Sequence, residues 1–237
     1  PPPDAAPTLV FLHEGLGSVS AWRDFPRALA DATGCGALAY SRAGYGASPP
    51  TALPRAVSYM HDEAKSLPGL LHAHGVARPI LVGHSDGASI ALIAVGSGAV
   101  DAHALVLEAP HVFVEDVSVE GIAAAKRAFE AGELRARLAR HHADVDDAFR
   151  GWNDVWLSPA FRAWNIEREL AGVRCPTLVV QGDRDPYGTM AQVDAIERGV
   201  AGPFERVILP GVGHAPHKDA LDATLAAMTR FVRAAIA

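Results

Sequence analysis

Residues 83–87 read Gly83-His84-Ser85-Asp86-Gly87, between the apolar run Pro79-Ile80-Leu81-Val82 and the helix-forming run Ala88-Ser89-Ile90-Ala91-Leu92-Ile93-Ala94. A serine flanked by glycines in this way fits a sharp turn from strand into helix, where a Cβ at either glycine would clash and the serine backbone is strained. Such a turn lifts the Ser85 hydroxyl above the end of a sheet. It also aims the first helical N–H groups at negative charge developing beside it. Ser85 is therefore a candidate nucleophile. The five letters alone specify little in a chain with 22 glycines, so partners must decide the matter.

A serine alcohol needs a base to take its proton and a carboxylate to hold that base in one tautomer. Two downstream segments supply them: Gly182-Asp183-Arg184-Asp185-Pro186, and Pro210-Gly211-Val212-Gly213-His214-Ala215-Pro216-His217. Each follows a strand-like run, at the place where the ligand crevice of an open α/β sheet lies. Asp183 and Asp185 compete for the carboxylate role, and His214 and His217 for the base.

The elements that must position these groups alternate. Short apolar runs predict strands over 8–13, 37–41, 80–82, 104–108, 177–181 and 206–209, and amphipathic or apolar patterns predict helices over 20–31, 57–74, 86–97, 188–200 and 217–236. Strand–helix alternation argues for a mostly parallel, doubly wound sheet of about six strands with helices on both faces. The alternation breaks once. After the fourth strand come roughly sixty residues without strand signal but with helical stretches over 121–131, 133–142, 145–156 and 159–170. The expected organisation is one α/β core, residues 1–113 and 173–237, with a helical cap at 114–172 over the crevice. Trp152, Trp156 and Trp164 lie in this insert, where packing onto the core is their first use.

Composition sets the outer bounds. At 237 residues the chain can bury one sizeable core, and 49% hydrophobic with 20% charged residues is ordinary for a globular protein. A net charge of −6 without a basic run gives no footing for nucleic acid or an anionic membrane. Every apolar stretch is broken before the roughly 18–20 residues a bilayer needs. Pro1-Pro2-Pro3-Asp4 has neither the basic nor the apolar region of a signal peptide, and the chain is open to trimming there, so a cytoplasmic location is the default expectation. Cys35 and Cys175 read as reduced core thiols without metal-ligand spacing.

Five ordered segments give a resemblance to the α/β-hydrolase superfamily over essentially the whole chain. They are His13-Glu14-Gly15-Leu16-Gly17-Ser18, Ser41-Arg42-Ala43-Gly44-Tyr45-Gly46-Ala47-Ser48, the Ser85 turn, the G-x-x-D segment from Gly182 to Asp185, and the G-x-G-H segment ending at His214. The resemblance implies Ser85 as nucleophile, His214 as general base and acid, and Asp185 as the orienting carboxylate. It implies an oxyanion hole from the backbone N–H groups of Asp86 and Gly15, with no cofactor and no metal. His13, His84 and His111 are expected near the site as loop-orienting groups, and His141-His142 on a solvated helix face. Glu14, His84, His111, Trp152 and Trp156 are candidate substrate contacts.

Two departures from the family pattern stand out. Glu14 replaces the usual glycine after His13, which puts a carboxylate beside the expected oxyanion hole unless it turns away or is paired. The chain also starts almost at its first predicted strand, so 37–40 is expected at an exposed sheet edge, where pairing into a homodimer competes with a monomeric state. With serine at the nucleophile position, the aspartate-dependent dehalogenases and epoxide hydrolases are disfavoured. The resemblance is closest to the valacyclovir-hydrolase and meta-cleavage-product-hydrolase branches, which act on small molecules. The expected activity is hydrolysis of a small carboxylic ester or related acyl compound through an acyl-enzyme. C–C bond hydrolysis, thioester hydrolysis and slow-turnover ligand reception are the alternatives. Asp86 adds a further expectation: its carboxylate either selects a cationic acyl group or merely favours the helix N-terminus.

Overall fold

The computed structural model describes residues 6–237; the segment Pro1–Asp4 discussed above lies outside them. Six parallel strands run in the order β2-β1-β3-β4-β5-β6: β1 Thr8–Leu12, β2 Gly36–Ala39, β3 Ile80–His84, β4 Ala104–Glu108, β5 Thr177–Gly182 and β6 Phe204–Leu209. The chain moves from β1 outward to β2, then returns past β1 to β3. That reversal leaves a crevice beyond the carboxyl ends of β1 and β3.

Strand periodicity explains the two cores. Leu9, Phe11, Ile80, Val82, Val106 and Val180 point to one face, against α1 (Phe25–Thr33) and α9 (Leu221–Ile236). Val10, Leu12, Leu81, Leu105, Leu107 and Val179 point to the other, against α2 (Tyr59–Ala73) and α3 (Asp86–Gly96). Strands buried on both faces read as near-continuous apolar runs, which is why the four central strands β1, β3, β4 and β5 stand out in the sequence. A buried Leu, Val or Phe contributes roughly 1.5–3 kcal/mol, so packing rather than propensity holds the sheet. Helix α3 is buried along nearly its whole length, in keeping with a sequence that is apolar on every side.

The predicted helix over 20–31 is divided into a 3-10 turn, Val19–Trp22, and α1, because Arg23 takes a positive φ and Pro26 opens the new helix. The expectation of an exposed edge is met among the described residues, since β2 pairs on one side alone and Gly36 and Ala37 are exposed.

Between β4 and β5 the chain folds into α4 (Asp116–Glu130), α5 (Glu133–Leu138) and α6 (Val145–Trp156), then 3-10 turns at Pro159–Ala163 and Glu167–Gly172. The helix expected over 159–170 is absent. Trp164 is extended there, Ile166 N–H donates to the Val112 carbonyl at 2.7 Å, and Asn165 Oδ1 accepts from Glu167 N–H at 2.8 Å. The tertiary bond to Val112 and the local Asn165 bond outcompete a continuous helix. The remaining elements are α7 (Met190–Gly199) and α8 (Pro216–Asp219). No helix among the described residues is long and apolar enough to cross a membrane.

Candidate active site

Ser85 joins β3 to α3 at φ 53 and ψ −117, a strained conformation for a residue with a Cβ. The turn is close-packed on both sides. A Cβ at Gly83 would lie 2.6 Å from the Ala88 backbone, and one at Gly87 would lie 2.0 Å from the Leu12 carbonyl oxygen. Ser85 N–H is anchored to the Glu108 carbonyl at 2.9 Å. The Ser85 side chain opens onto a cavity of about 110 Å³.

His214 and Gly15 line the same cavity as Ser85. His214 follows β6, and its Nδ1 donates to both carboxylate oxygens of Asp185 at 2.8 and 2.9 Å. Asp185 follows β5 and is held by two further donors, Gln181 Nε2 at 2.8 Å and Tyr187 N–H at 2.8 Å. Burial pushes the Asp185 carboxyl up, but the hydrogen bond and charge of His214 outweigh it and leave the group below the usual aspartate range. With Nδ1 fixed on a carboxylate, Nε2 is the basic nitrogen of His214.

The two rival groups lie elsewhere. Asp183 caps the Gly211 N–H at 2.7 Å, on the exposed side of the turn. His217 is buried, with Nδ1 2.5 Å from Glu108 Oε2. His84, Glu108 and His217 have ligand-type atoms within 4.8 Å of one another. One polar atom of each is engaged inside the protein: His84 Nε2 donates to the His214 carbonyl at 2.7 Å, and His217 Nδ1 pairs with Glu108 Oε2. The effect is to tie the His214 loop to β4 and to the Ser85 turn.

Among the candidate contacts, Glu14, His111, Trp152 and Trp156 line the cavity; His84 does not, because its ring is turned to the His214 carbonyl. Leu16, Ile122 and Tyr187 complete the wall. Tyr187 stands edge-on to His214, with ring centroids 4.7 Å apart. Its place two residues after Asp185 was the sequence signal for it. Burial pushes the His111 imidazole down from 6.5 to about 3, so it stays neutral beside His214.

Glu14 is paired, as its position demanded. Burial acts to raise its carboxyl, but Lys218 Nζ at 3.3 Å and His84 Nδ1 at 3.4 Å hold it well below the usual glutamate range. Asp86 does not line the cavity: its side chain is fully buried and its Oδ2 accepts from Tyr59 Oη at 2.6 Å. A substrate cation is therefore not met by Asp86. His142 departs from the expected solvated helix. It is buried outside any helix, accepting at Nδ1 from Gly46 N–H at 3.0 Å and donating at Nε2 to the Leu16 carbonyl at 3.0 Å.

Solved structures share this architecture. The chain is similar to 2-hydroxy-6-oxo-6-phenylhexa-2,4-dienoate hydrolase from Rhodococcus sp. strain RHA1, at 18% identity and a TM-score of 0.81 over 96% of this chain and 91% of that one. It is also similar to the enol-lactonase of Burkholderia xenovorans LB400, at 18% identity and TM-score 0.75 over 98% and 93%. A thermophilic esterase from Thermogutta terrifontis matches at 17% identity and TM-score 0.70 over 98% and 92%. No curated protein matches significantly in sequence. The model described as the alpha/beta hydrolase family matches residues 9–227, and the chain belongs to that family.

Proposed function

We propose that this hydrolase cleaves a small, carboxylate-free ester or related acyl compound through an acyl-enzyme on Ser85. The observation that carries this reading is the gathering of Ser85 and the Asp185-held His214 on one cavity. Ser85 Oγ attacks the acyl carbon while His214 Nε2 takes its proton. The Asp86 and Gly15 N–H groups receive the charge on the carbonyl oxygen. His214 then protonates the leaving oxygen, and water repeats the sequence to release the acid. Asp185 stabilises the imidazolium throughout.

The cavity wall supports the substrate class. Leu16, Ile122, Trp152 and Trp156 offer apolar surface, and among the described residues Glu14 is the only Asp, Glu, Lys or Arg that lines it. A substrate carrying its own carboxylate would face Glu14 with no lining Lys or Arg to receive it, which disfavours C–C cleavage of dienoate acids. In the same reading, residues 114–172 act as the cap, since three of the wall residues belong to them. Two unpaired thiols, Cys35 and Cys175, accord with a cytoplasmic location.

The test is fluorophosphonate labelling mapped by mass spectrometry, beside a panel of neutral esters, hemisuccinate esters, thioesters and vinylogous diketone acids. Labelling at Ser85 and turnover of neutral esters is the expected result. Turnover confined to diketone acids overturns the ester reading.

A further inference from the structure

We infer that Arg42 is the positioning residue of the oxyanion hole and that it acts through a single carbonyl group. The inference rests on the hydrolase reading above, in which the Gly15 N–H receives the oxyanion. That N–H shares its peptide unit with the Glu14 carbonyl. The Glu14 oxygen accepts three hydrogen bonds, from His13 Nδ1 at 2.7 Å, Arg42 Nη2 at 2.9 Å and Gly17 N–H at 3.0 Å. Arg42 Nη2 lies 3.3 Å from the His13 carbonyl as well. The Arg42 backbone N–H donates to His13 Nε2 at 3.1 Å, so the proton of that imidazole sits on Nδ1 and points at the Glu14 oxygen.

Two effects follow. Three donors fix the plane of the Glu14–Gly15 peptide, and with it the direction of the Gly15 N–H. A cation bonded to an amide oxygen also draws electron density toward that oxygen, which makes the N–H of the same amide a stronger donor. Burial amplifies the second effect, because Arg42 is 1% exposed. Burial works against the guanidinium charge, yet the Glu63 and Asp86 carboxylates favour it and Arg42 stays protonated.

The arrangement is expensive, which argues for a use. Arg42 Nε and Nη1 have no hydrogen-bond partner among the described residues. Desolvating a guanidinium costs free energy that an apolar group of similar volume, with its partners replaced as well, would not incur. The Tyr45 ring, 4.8 Å from Arg42 Cζ, covers the guanidinium without accepting a hydrogen bond.

The experiment traps the acyl-enzyme formed with a ¹³C-carbonyl p-nitrophenyl ester and reads the acyl C=O stretch by isotope-edited infrared spectroscopy. The wild-type stretch is expected at lower frequency than that of the free ester. Arg42→Met should return it toward the free value and lower kcat by about 10–100-fold with KM little changed, and Arg42→Lys should fall between. If Arg42→Met does not fold, Arg42→Lys and His13→Gln read the same carbonyl. An unchanged stretch in folded, acylated variants overturns the inference alone. A wild type that never acylates at Ser85 overturns the hydrolase reading and this inference with it.

Discussion

His214 and His217 stand three residues apart, each bonded through Nδ1 to a carboxylate at or just past the end of a neighbouring strand. Asp185 holds the first at 2.8 Å and Glu108 the second at 2.5 Å. Their surroundings differ. The His214 side chain keeps 17% of its surface open and faces the cavity with Ser85, whereas His217 and Glu108 are closed at 2% and 0%. A histidine–carboxylate pair is thus not a catalytic unit by itself. The ring must also present its second nitrogen to a nucleophile and to space for a substrate. Denied that space, the same pair serves as an internal tie, here clamping the loop that carries its neighbour.

Substitutions can break this contrast. The largest effect is expected at the open pair: Ser85→Ala or His214→Ala should lower kcat on a neutral ester at least about a thousandfold. An active Ser85→Ala enzyme would defeat the mechanism. At the closed pair the loss should instead be in stability. Leaving one partner of a buried pair alone costs about 3–5 kcal/mol, so His217→Leu should lower the urea midpoint strongly, and Glu108→Met with His217→Leu should restore part of it. If His217→Leu abolished turnover at unchanged stability, the two histidines would have to exchange roles.

His111 sharpens the comparison as a third imidazole, on the cavity but without a carboxylate. Its folded value of about 3 lies below the ordinary 6.5, so its neutral form favours folding above 6.5. That contribution is lost as pH falls, by about 1.4 kcal/mol per unit from 6.5 toward 3, because the unfolded chain takes up the proton first. His111→Gln should therefore flatten the fall in unfolding free energy between pH 6 and pH 4, measured by urea titration. A parallel slope in both proteins would refute a buried neutral His111. The smallest effect concerns Glu14 on the rim: Glu14→Gln should raise kcat/KM for a hemisuccinate ester relative to a butyrate ester by about tenfold, the scale of one screened charge contact. No change in that ratio would remove Glu14 from specificity.

Much of this was legible in the chain, for identifiable reasons. Buried parallel strands are apolar on both faces, and the tight turn at Ser85 admits little besides glycine at 83 and 87, so both leave strong local marks. The Glu108–His217 tie left a weaker one, a charge closing an otherwise apolar strand, whose partner is 109 residues away. Long-range partners have no local pattern to betray them. The same holds for His142, which resembled a solvated position until Gly46 and Leu16 were brought beside it. Arg42 was visible only as part of a glycine-rich loop. Nothing in that segment specifies that its guanidinium turns inward to the Glu14 carbonyl.

Trp156 bears on traffic through the site. Its indole N–H donates to Tyr59 Oη at 3.0 Å, and that phenol in turn donates to Asp86 at 2.6 Å. The string runs from the roof of the cavity to the first turn of the helix beneath Ser85. A roof fastened to the floor travels with it, and prising them apart would strand buried polar groups at about 1–3 kcal/mol each. The half-open salt bridge between Glu14 and Lys218 offers far less resistance. Parting the Glu14–Lys218 pair, 18% and 32% exposed, strands no fully buried group of that kind.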